Sequence, residues 1–231
     1  MEDWKKGLIE LLVRKKGLLF GEFKLKSGRI SPYFFNLANV ISDGEGLSKI
    51  AEAYGYGLQR MIGFENFDYI YGPAYKGIPL AAAIAQILYF KWGINKRWGY
   101  DRKEAKEYGV KQEKWLIGQL KDGDRIVIVD DVATTGKTKI DAVNKIKNYS
   151  GKRNLIFAGV LILLDRKEKS DEGTYSINTL REHGLRVYAL LDAPEVFEYL
   201  KTTDVNGRKV IDNEQYRRFL EYHKKYGVEE G

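Results

Sequence analysis

Two adjacent carboxylates, Asp130 and Asp131, directly follow the apolar run Ile126-Val127-Ile128-Val129. A short buried strand would place both at its carboxyl end, where open α/β sheets bind their ligands. The residues that follow are mostly small or hydroxylic and lead into a predicted helix, whose free N–H groups and dipole form an anion site. Carboxylates beside such a site must bind something other than the anion. The segment therefore predicts a phosphate cradle next to two acids that hold ribose hydroxyls or a cation.

Other phosphate-binding motifs fit this segment less well. Gly136-Lys137-Thr138 matches the end of a P-loop, but that motif requires glycine where Asp131 stands. A dinucleotide-binding fingerprint requires three glycines, and only Gly136 is present. An ordinary strand, loop and capped helix remains an alternative. The acid pair argues against it, because neighbouring carboxylates repel and need a reason to be adjacent.

Composition excludes several kinds of site. The 231-residue chain has no cysteine, which rules out disulfides, thiolate metal sites and a cysteine nucleophile. Its two histidines, His183 and His223, are not near a nucleophile-like motif. A net charge of +7 suits a polyanionic partner, and the motifs favour a small polyphosphate over nucleic acid or a membrane surface. With neither an apolar run of about 20 residues nor a signal peptide, we expect a cytoplasmic protein without membrane contact.

Strand and helix patterns alternate along the chain, which predicts a parallel sheet covered on both faces. A charged, glycine-flanked stretch at residues 101–118 predicts a long exposed loop. The role of residues 202–231, a C-terminal extension with one amphipathic helix, is not evident. The predicted strands are residues 18–24, 32–37, 68–71, 97–100, 126–129, 155–164 and 185–191. The predicted helices are residues 3–16, 42–62, 78–90, 138–147, 176–182, 194–200 and 214–225.

The segment from Ile126 to Thr138 resembles the motif with which type I phosphoribosyltransferases bind 5-phosphoribosyl 1-diphosphate (PRPP). That motif has four apolar residues, two acids, then small and hydroxylic residues ending in Thr-Gly-x-Thr or similar. The resemblance implies that Asp130 and Asp131 hold the ribose 2′- and 3′-hydroxyls, and that residues 133–138 cradle the 5′-phosphate. The implied PRPP-binding residues of this segment are Asp130, Asp131, Val132, Ala133, Thr134, Thr135, Gly136, Lys137 and Thr138.

Three further segments, at residues 23–36, 71–79 and 101–109, resemble the orotate branch of that family. Residues 23–36, Phe-Lys-Leu-Lys-Ser-Gly-Arg-Ile-Ser-Pro-Tyr-Phe-Phe-Asn, imply a role for Lys26 with both PRPP and orotate. They also imply that the backbone of Phe34 and Phe35 lies against the orotate ring, which Thr134 would contact too. A hairpin with core aromatics is the plain alternative. Residues 71–79 resemble the diphosphate-binding loop, with Tyr75 and Lys76 as PRPP contacts.

Cationic residues complete the implied site. Residues 101–109 resemble the family's mobile catalytic loop, in which Arg102, Lys103 and Lys106 reach the diphosphate. The sequence departs from the usual pattern at Tyr108, where histidine is common, and at residues 110–112, which replace a glycine-rich stretch. The family has an arginine after a buried strand that pairs with the orotate carboxylate, so the resemblance makes Arg166, which follows the predicted strand 155–164, the candidate here. A guanidinium matches a carboxylate in a bidentate pair. For residues 101–109 the alternative is a solvated charge run. For Arg166 it is a structural salt bridge to Asp165 or Glu168.

The resemblance implies an α/β fold of the type I phosphoribosyltransferase kind, with a central, mostly parallel sheet flanked by helices. We expect one domain over residues 1–231, with a small hood at about residues 1–40. The implied reaction joins orotate to PRPP, with Lys103, Arg102, Lys106 and Asp131 as catalytic residues and Asp131 assisting proton movement. Mg²⁺ would be held mainly by PRPP and water. A homodimer would share its active sites, because the mobile loop reaches the neighbouring subunit.

Two other functions remain open from the sequence. The first is transfer to a different base, although a purine enzyme would lack the 23–36 string and would not need Arg166. The second is a non-catalytic regulator that senses PRPP and binds nucleic acid, which the net charge permits. The intact segment 102–106 argues against it, because a sensor does not need to stabilise a leaving group.

Overall fold

A six-stranded sheet forms the centre of the molecule, in a computed structural model that describes residues 1–102, 115–149 and 154–228. The strands are β1 (Leu18–Lys24), β2 (Ile30–Phe35), β3 (Tyr69–Tyr71), β4 (Arg97–Asp101), β5 (Leu116–Ile117), β6 (Arg125–Asp130), β7 (Ile156–Asp165) and β8 (Val187–Asp192). The sheet has the order β5-β4-β3-β6-β7-β8, and β1 and β2 form a separate antiparallel hairpin. All neighbouring strands of the large sheet are parallel except β4 and β5, so the predicted mostly parallel sheet is confirmed.

Helices connect the parallel strands, as the alternating pattern predicted. They are α1 (Asp3–Arg14), α2 (Leu37–Val40), α3 (Gly44–Gly57), α4 (Gly77–Trp92), α5 (Lys137–Tyr149), α6 (Ser176–Glu182), α7 (Ala193–Thr202) and α8 (Asn213–Tyr226). Several begin at side-chain caps, which satisfy N–H groups that have no partner within the helix. Asp43 caps α3, and capping boxes begin α7 at Asp192 and α8 at Asp212.

Both faces of the sheet are buried, and β6 shows how its sequence serves both. Val127 and Val129 pack into a core formed with α1, α3, α4 and α7. Ile126 and Ile128 point to the other face and pack with residues of α5 and α6. A continuous apolar run suits such a strand, because successive side chains face opposite sides. The predicted ligand-binding edge therefore lies at the end of a central strand that is buried on both faces.

The hairpin and the C-terminal helix pack together at one end of the molecule. Tyr33 on β2 makes edge-on ring contacts with Phe197 on α7 and Phe219 on α8. The rings of Phe197 and Phe219 stack with centroids 3.7 Å apart. All three side chains are buried. Helix α8 therefore belongs to the packed structure and holds the hairpin in place.

Several predicted boundaries were wrong, and three of the differences have a clear structural description. The second hairpin strand is Ile30–Phe35, not residues 32–37, because Asn36 ends it by accepting a hydrogen bond from Ala38 N at the start of α2. The predicted helix 42–62 begins after Asp43 and changes to a π-helical turn at residues 58–62. The predicted loop 101–118 contains β5, whose buried Leu116 pairs with Asp101.

Among the described residues, no helix is long and apolar enough to cross a bilayer.

Candidate active site

The acid pair lies at the carboxyl end of β6, and each acid contacts a lysine. Asp130 forms an ion pair with Lys139 at 2.5 Å, and Asp131 forms one with Lys76. Burial raises the pKa of Asp130, with Lys139 acting in the opposite direction. The two lysines differ in burial, because the Lys139 side chain is 6% exposed and that of Lys76 is 46% exposed. Lys76 can therefore exchange its partner for a ligand at much smaller cost than Lys139.

Backbone hydrogen bonds fix the acid pair from both sides. Tyr54 Oη on α3 donates to the carbonyl of Asp130 at 2.6 Å. The carbonyl of Asp131 accepts from Leu163 N at 3.0 Å and Leu164 N at 3.1 Å. The end of β6 is thus tied to the end of β7, two residues before Arg166.

The loop after the acids presents unused amides. No hydrogen bond between described residues has Ala133 N, Thr134 N, Thr135 N or Gly136 N as its donor. Ser176 Oγ on α6 holds the loop by donating to the carbonyl of Ala133 at 2.8 Å. Gly136 has φ 75°, and a side chain there would press on Leu180. The loop leads directly into α5, so the amides and the helix dipole together suit a phosphate group.

A second loop, residues 72–76, faces the acids through Lys76. Gly72 and Gly77 approach so closely that a Cβ on Gly72 would lie 1.9 Å from the carbonyl oxygen of Gly77. The peptide bond between Ala74 and Tyr75 is cis, and the Tyr75 side chain is exposed. Ala74 N donates to Asp101 Oδ1 at 3.0 Å, and Asp101 Oδ2 accepts from Lys145 on α5 at 2.7 Å. Asp101 therefore joins this loop to the end of β4 and to α5.

Arg166 follows β7 and lies against the hairpin. Its Nη2 is 2.9 Å from Glu168 Oε1 and 3.1 Å from Ser31 Oγ. Its guanidinium carbon lies 4.3 Å from the centre of the Tyr33 ring. Burial alone would lower the pKa of Arg166, but Tyr33 and Glu168 raise it, so the side chain stays cationic. The salt bridge to Glu168 considered from the sequence is present, and the side chain is still 20% exposed.

Comparison with known proteins decides the family. Residues 41–189 match the family described as "Phosphoribosyl transferase domain". The chain is 37% identical to an orotate phosphoribosyltransferase of Agathobacter rectalis, over 98% of this chain and 99% of the relative. It is 36% identical to another from Clostridium acetobutylicum, over 99% of this chain and 100% of the relative. This chain belongs to the orotate phosphoribosyltransferase family.

A solved structure of the same family agrees with the fold. The orotate phosphoribosyltransferase of Francisella tularensis is 32% identical and covers 96% of this chain and 100% of its own, with a TM-score of 0.80. The type I phosphoribosyltransferase fold predicted from residues 126–138 is thereby confirmed. Membership in the orotate branch, predicted from residues 23–36, 71–79 and 101–109, is confirmed as well.

The hairpin carries three of the residues that were predicted to bind orotate, Lys26, Phe34 and Phe35. Phe34 is partly exposed and stacks on Phe23 with ring centroids 5.6 Å apart, while Phe35 packs against the core. Lys26 is exposed at the hairpin turn and makes no hydrogen bond or ion pair with a described residue. Arg29 anchors that turn to the segment after β7 by donating to Lys169 O at 2.6 Å and Ser170 O at 2.8 Å. The hairpin is thereby held over the end of β7.

The predicted catalytic loop is described only at its base. Arg102 N donates to Trp115 O at 2.8 Å, which joins the two ends of the loop. Among the described residues, Arg102 Nε is buried without a hydrogen-bond partner. Lys103, Lys106, Tyr108 and residues 110–112 lie outside the described residues. Of the remaining residues predicted to bind PRPP, Thr134, Thr135, Lys137 and Thr138 are exposed and Val132 and Ala133 are half-buried.

Sequence reasoning missed three residues that shape this site. Lys139 could have been found, because it lies three and four positions before Ala142 and Val143 on the apolar face of α5. A lysine on a buried face needs an anionic partner. Asp101 and Tyr54 have no comparable signal, because their partners are distant in the chain. Among the described residues, no three acids or histidines are grouped as a metal site.

Proposed function

We propose that this protein transfers the 5-phosphoribosyl group from PRPP to orotate, giving orotidine 5′-monophosphate and diphosphate. The observation that carries the proposal is the junction of the strand ends β6 and β7 through the carbonyl of Asp131. This junction places the acid pair and the amides of residues 133–136 at the same edge of the sheet as Arg166. One half of this edge suits a phosphorylated ribose, and the other suits a planar carboxylate. The names of the full-length relatives support the same pair of substrates.

In the proposed reaction, a ring nitrogen of orotate forms a bond to ribose C1 as the bond from C1 to diphosphate breaks. The proton leaves that nitrogen, and Asp131 assists its movement. Asp130 and Asp131 hold the ribose hydroxyls, while the amides of residues 133–136 hold the 5′-phosphate. Lys76, Arg102, Lys103 and Lys106 stabilise the negative charge that develops on the leaving diphosphate.

Lys76 changes partner in this account. Without substrate it neutralises Asp131, and with PRPP bound it contacts the diphosphate. Asp131 is thereby released to accept hydrogen bonds from the ribose. The half-exposed position of Lys76 allows this exchange, because neither partner has to be dehydrated completely.

Mg²⁺ fits this site as a companion of PRPP. Both acids already have a lysine partner, so they are poor candidates for a dedicated metal cage. Mg²⁺ prefers phosphate oxygens and water, with few protein ligands. When bound, it would neutralise charge on the diphosphate.

A homodimer with shared sites completes the proposal. Phe90 on α4 is 74% exposed, and Tyr89 on α4 and Trp98 on the adjacent strand β4 are also exposed. Exposed aromatic groups of this size are typical of an interface. In such a dimer, the segment after Arg102 would reach the partner's acid pair, as the family resemblance implies. The cytoplasmic location and the single domain over residues 1–231 stay predictions.

One assay separates this function from the two alternatives. Loss of orotate absorbance is followed with PRPP and Mg²⁺, with and without a chelator, and adenine, hypoxanthine and uracil replace orotate in parallel. We expect turnover of orotate alone and its loss on chelation. Turnover of a purine would assign a different base. An absence of turnover together with salt-sensitive binding of RNA or DNA would indicate the regulator.

A further inference from the structure

The carboxylate of Glu168 accepts hydrogen bonds from three side chains beside the hairpin, those of Arg166, Tyr33 and Tyr222. Its Oε1 lies 2.9 Å from Arg166 Nη2 and accepts from Tyr33 Oη at 2.8 Å. Its Oε2 accepts from Tyr222 Oη at 3.0 Å. The Glu168 side chain is 8% exposed. A carboxylate with such limited access to water depends on these donors for its orientation.

Tyr222 comes from α8, which is tied to the segment carrying Glu168. Glu168 forms an antiparallel bridge with Gly227. Lys169 N donates to Tyr226 O at 2.8 Å, and Val228 N donates to Lys167 O at 3.0 Å. These bonds fix the end of α8 against the residues that follow β7. Burial raises the pKa of Tyr222, so its hydroxyl stays protonated and remains a donor.

The two oxygens of Glu168 therefore have different tasks. Tyr222 holds Oε2, while Oε1 accepts from Tyr33 and from Arg166, through Nη2 and, at 3.2 Å, through Nε. Among the described residues, Nη1 of Arg166 has no hydrogen-bond partner. The end of the guanidinium that carries Nη1 is thus available to a second carboxylate. Without Tyr222, Glu168 could rotate and take Arg166 in a bidentate pair, which would compete with that ligand.

We propose that Tyr222 and Glu168 are positioning residues for orotate, which orient Arg166 so that its Nη1 edge faces the substrate carboxylate. The inference rests on the proposed function, specifically on the contact between Arg166 and orotate. It gives the C-terminal helix a role in substrate selection. Neither residue touches PRPP in this account, so their effects should be confined to orotate.

The test is a set of steady-state kinetic measurements on Tyr222→Phe. We expect this change to raise the KM for orotate about fivefold, with the KM for PRPP and kcat within about twofold of wild type. Tyr216→Phe is the matched control, because Tyr216 lies on the same helix and donates to a different carboxylate, that of Glu198, at 2.6 Å. The control should leave both KM values unchanged. Glu168→Asp, which draws the carboxylate away from Arg166, should give the same selective increase as Tyr222→Phe.

The same change in an Arg166→Ala background shows whether Tyr222 acts through Arg166. We expect Tyr222→Phe to have no further effect on the orotate KM there. The inference is wrong if the effect persists in that background, or if both KM values rise together. It is also wrong, with the proposed function intact, if Arg166→Ala raises the orotate KM and neither Tyr222→Phe nor Glu168→Asp does. If Arg166→Ala itself leaves the orotate KM unchanged, the proposed role of Arg166 and this inference both fail.

Discussion

The two acids, Asp130 and Asp131, should both contribute to PRPP binding, but they should differ in their contribution to the stability of the fold. Asp130 and Asp131 are neighbours in sequence and share one strand end, yet their lysine partners differ in exposure. The Lys139 side chain extends from α5 and is buried against the loop that follows the acid pair, where it also donates to Val132 O at 2.5 Å. Lys76 stands on an open loop. Removal of either carboxylate should impair PRPP binding. Only removal of the Asp130 carboxylate leaves a buried lysine, Lys139, without its anionic partner.

Asp130→Asn and Asp131→Asn should therefore differ in thermal stability. From the sequence, relief of repulsion between the acids suggests a higher Tm for both variants, but the ion pairs change that expectation. Asp130→Asn should lower Tm by about 5–10 °C, because breaking a buried pair costs about 3 kcal/mol. Asp131→Asn should leave Tm near the wild-type value. Calorimetry and PRPP titration on both variants measure the two effects.

A second change on Lys139 checks the cause. Lys139→Met in the Asp130→Asn background removes the stranded cation and should recover most of the lost Tm, without restoring PRPP binding. Equal Tm values for the two single variants would contradict the assigned ion pairs. Wild-type PRPP affinity in both would remove the ribose-binding role.

Arg166→Ala should raise the KM for orotate far more than the KM for PRPP. The loss of a charge-assisted pair with the orotate carboxylate should cost about 2–3 kcal/mol, or about thirtyfold or more in KM. Arg60→Ala is a suitable control, because the Arg60 side chain is 64% exposed and its ion pair is with Glu2, which is not a residue of the site. Equal changes in both KM values would mean that Arg166 is structural, held by Glu168, or serves the phosphate.

At the scale of elements, local patterns predicted β6, the loop that follows it and the start of α5. This was possible because the apolar run of the strand and the small residues of the loop are adjacent in the sequence. The contacts of Asp101, and the contact of Glu168 with Tyr222, could not be predicted in this way. Asp101 belongs to a charged stretch, and its partners are Ala74 and Lys145, 27 and 44 residues away. Glu168 acquires its role from Tyr222, 54 residues further on. Such contacts follow from the packing of whole elements, which a single sequence does not reveal.

Asp101 gives an element-scale prediction, since it joins the 72–76 loop to β4 and α5. Asp101→Ala removes the acceptor of Ala74 N and should raise the KM for PRPP about tenfold, with a smaller effect on orotate. Asp101→Asn keeps an acceptor at this position and should stay close to wild type. Lys145→Met keeps the bond to Ala74 and serves as the second control. If Asp101→Ala changes only Tm, the bond to Ala74 does not organise the diphosphate loop.

At the scale of the whole molecule, the proposed dimer makes each active site depend on two chains. Lys103→Ala should lower kcat strongly with a smaller effect on KM, because its contact forms mainly in the transition state. Mixing this inactive variant with inactive Asp131→Asn should restore activity after subunit exchange. Half of the dimers are then hybrids with one intact site each, so up to about a quarter of wild-type activity should return. Verified exchange without recovery would place each site within one chain.

The transfer itself is tested most directly by following both products in one reaction. Purified protein is mixed with orotate, PRPP and Mg²⁺, and the loss of orotate absorbance is compared with diphosphate release measured by ³¹P NMR. The account predicts equal rates for the two, formation of orotidine 5′-monophosphate, and loss of both rates in Asp131→Asn. Diphosphate release without loss of orotate, or full activity in Asp131→Asn, would contradict a transfer to orotate at the carboxyl end of β6.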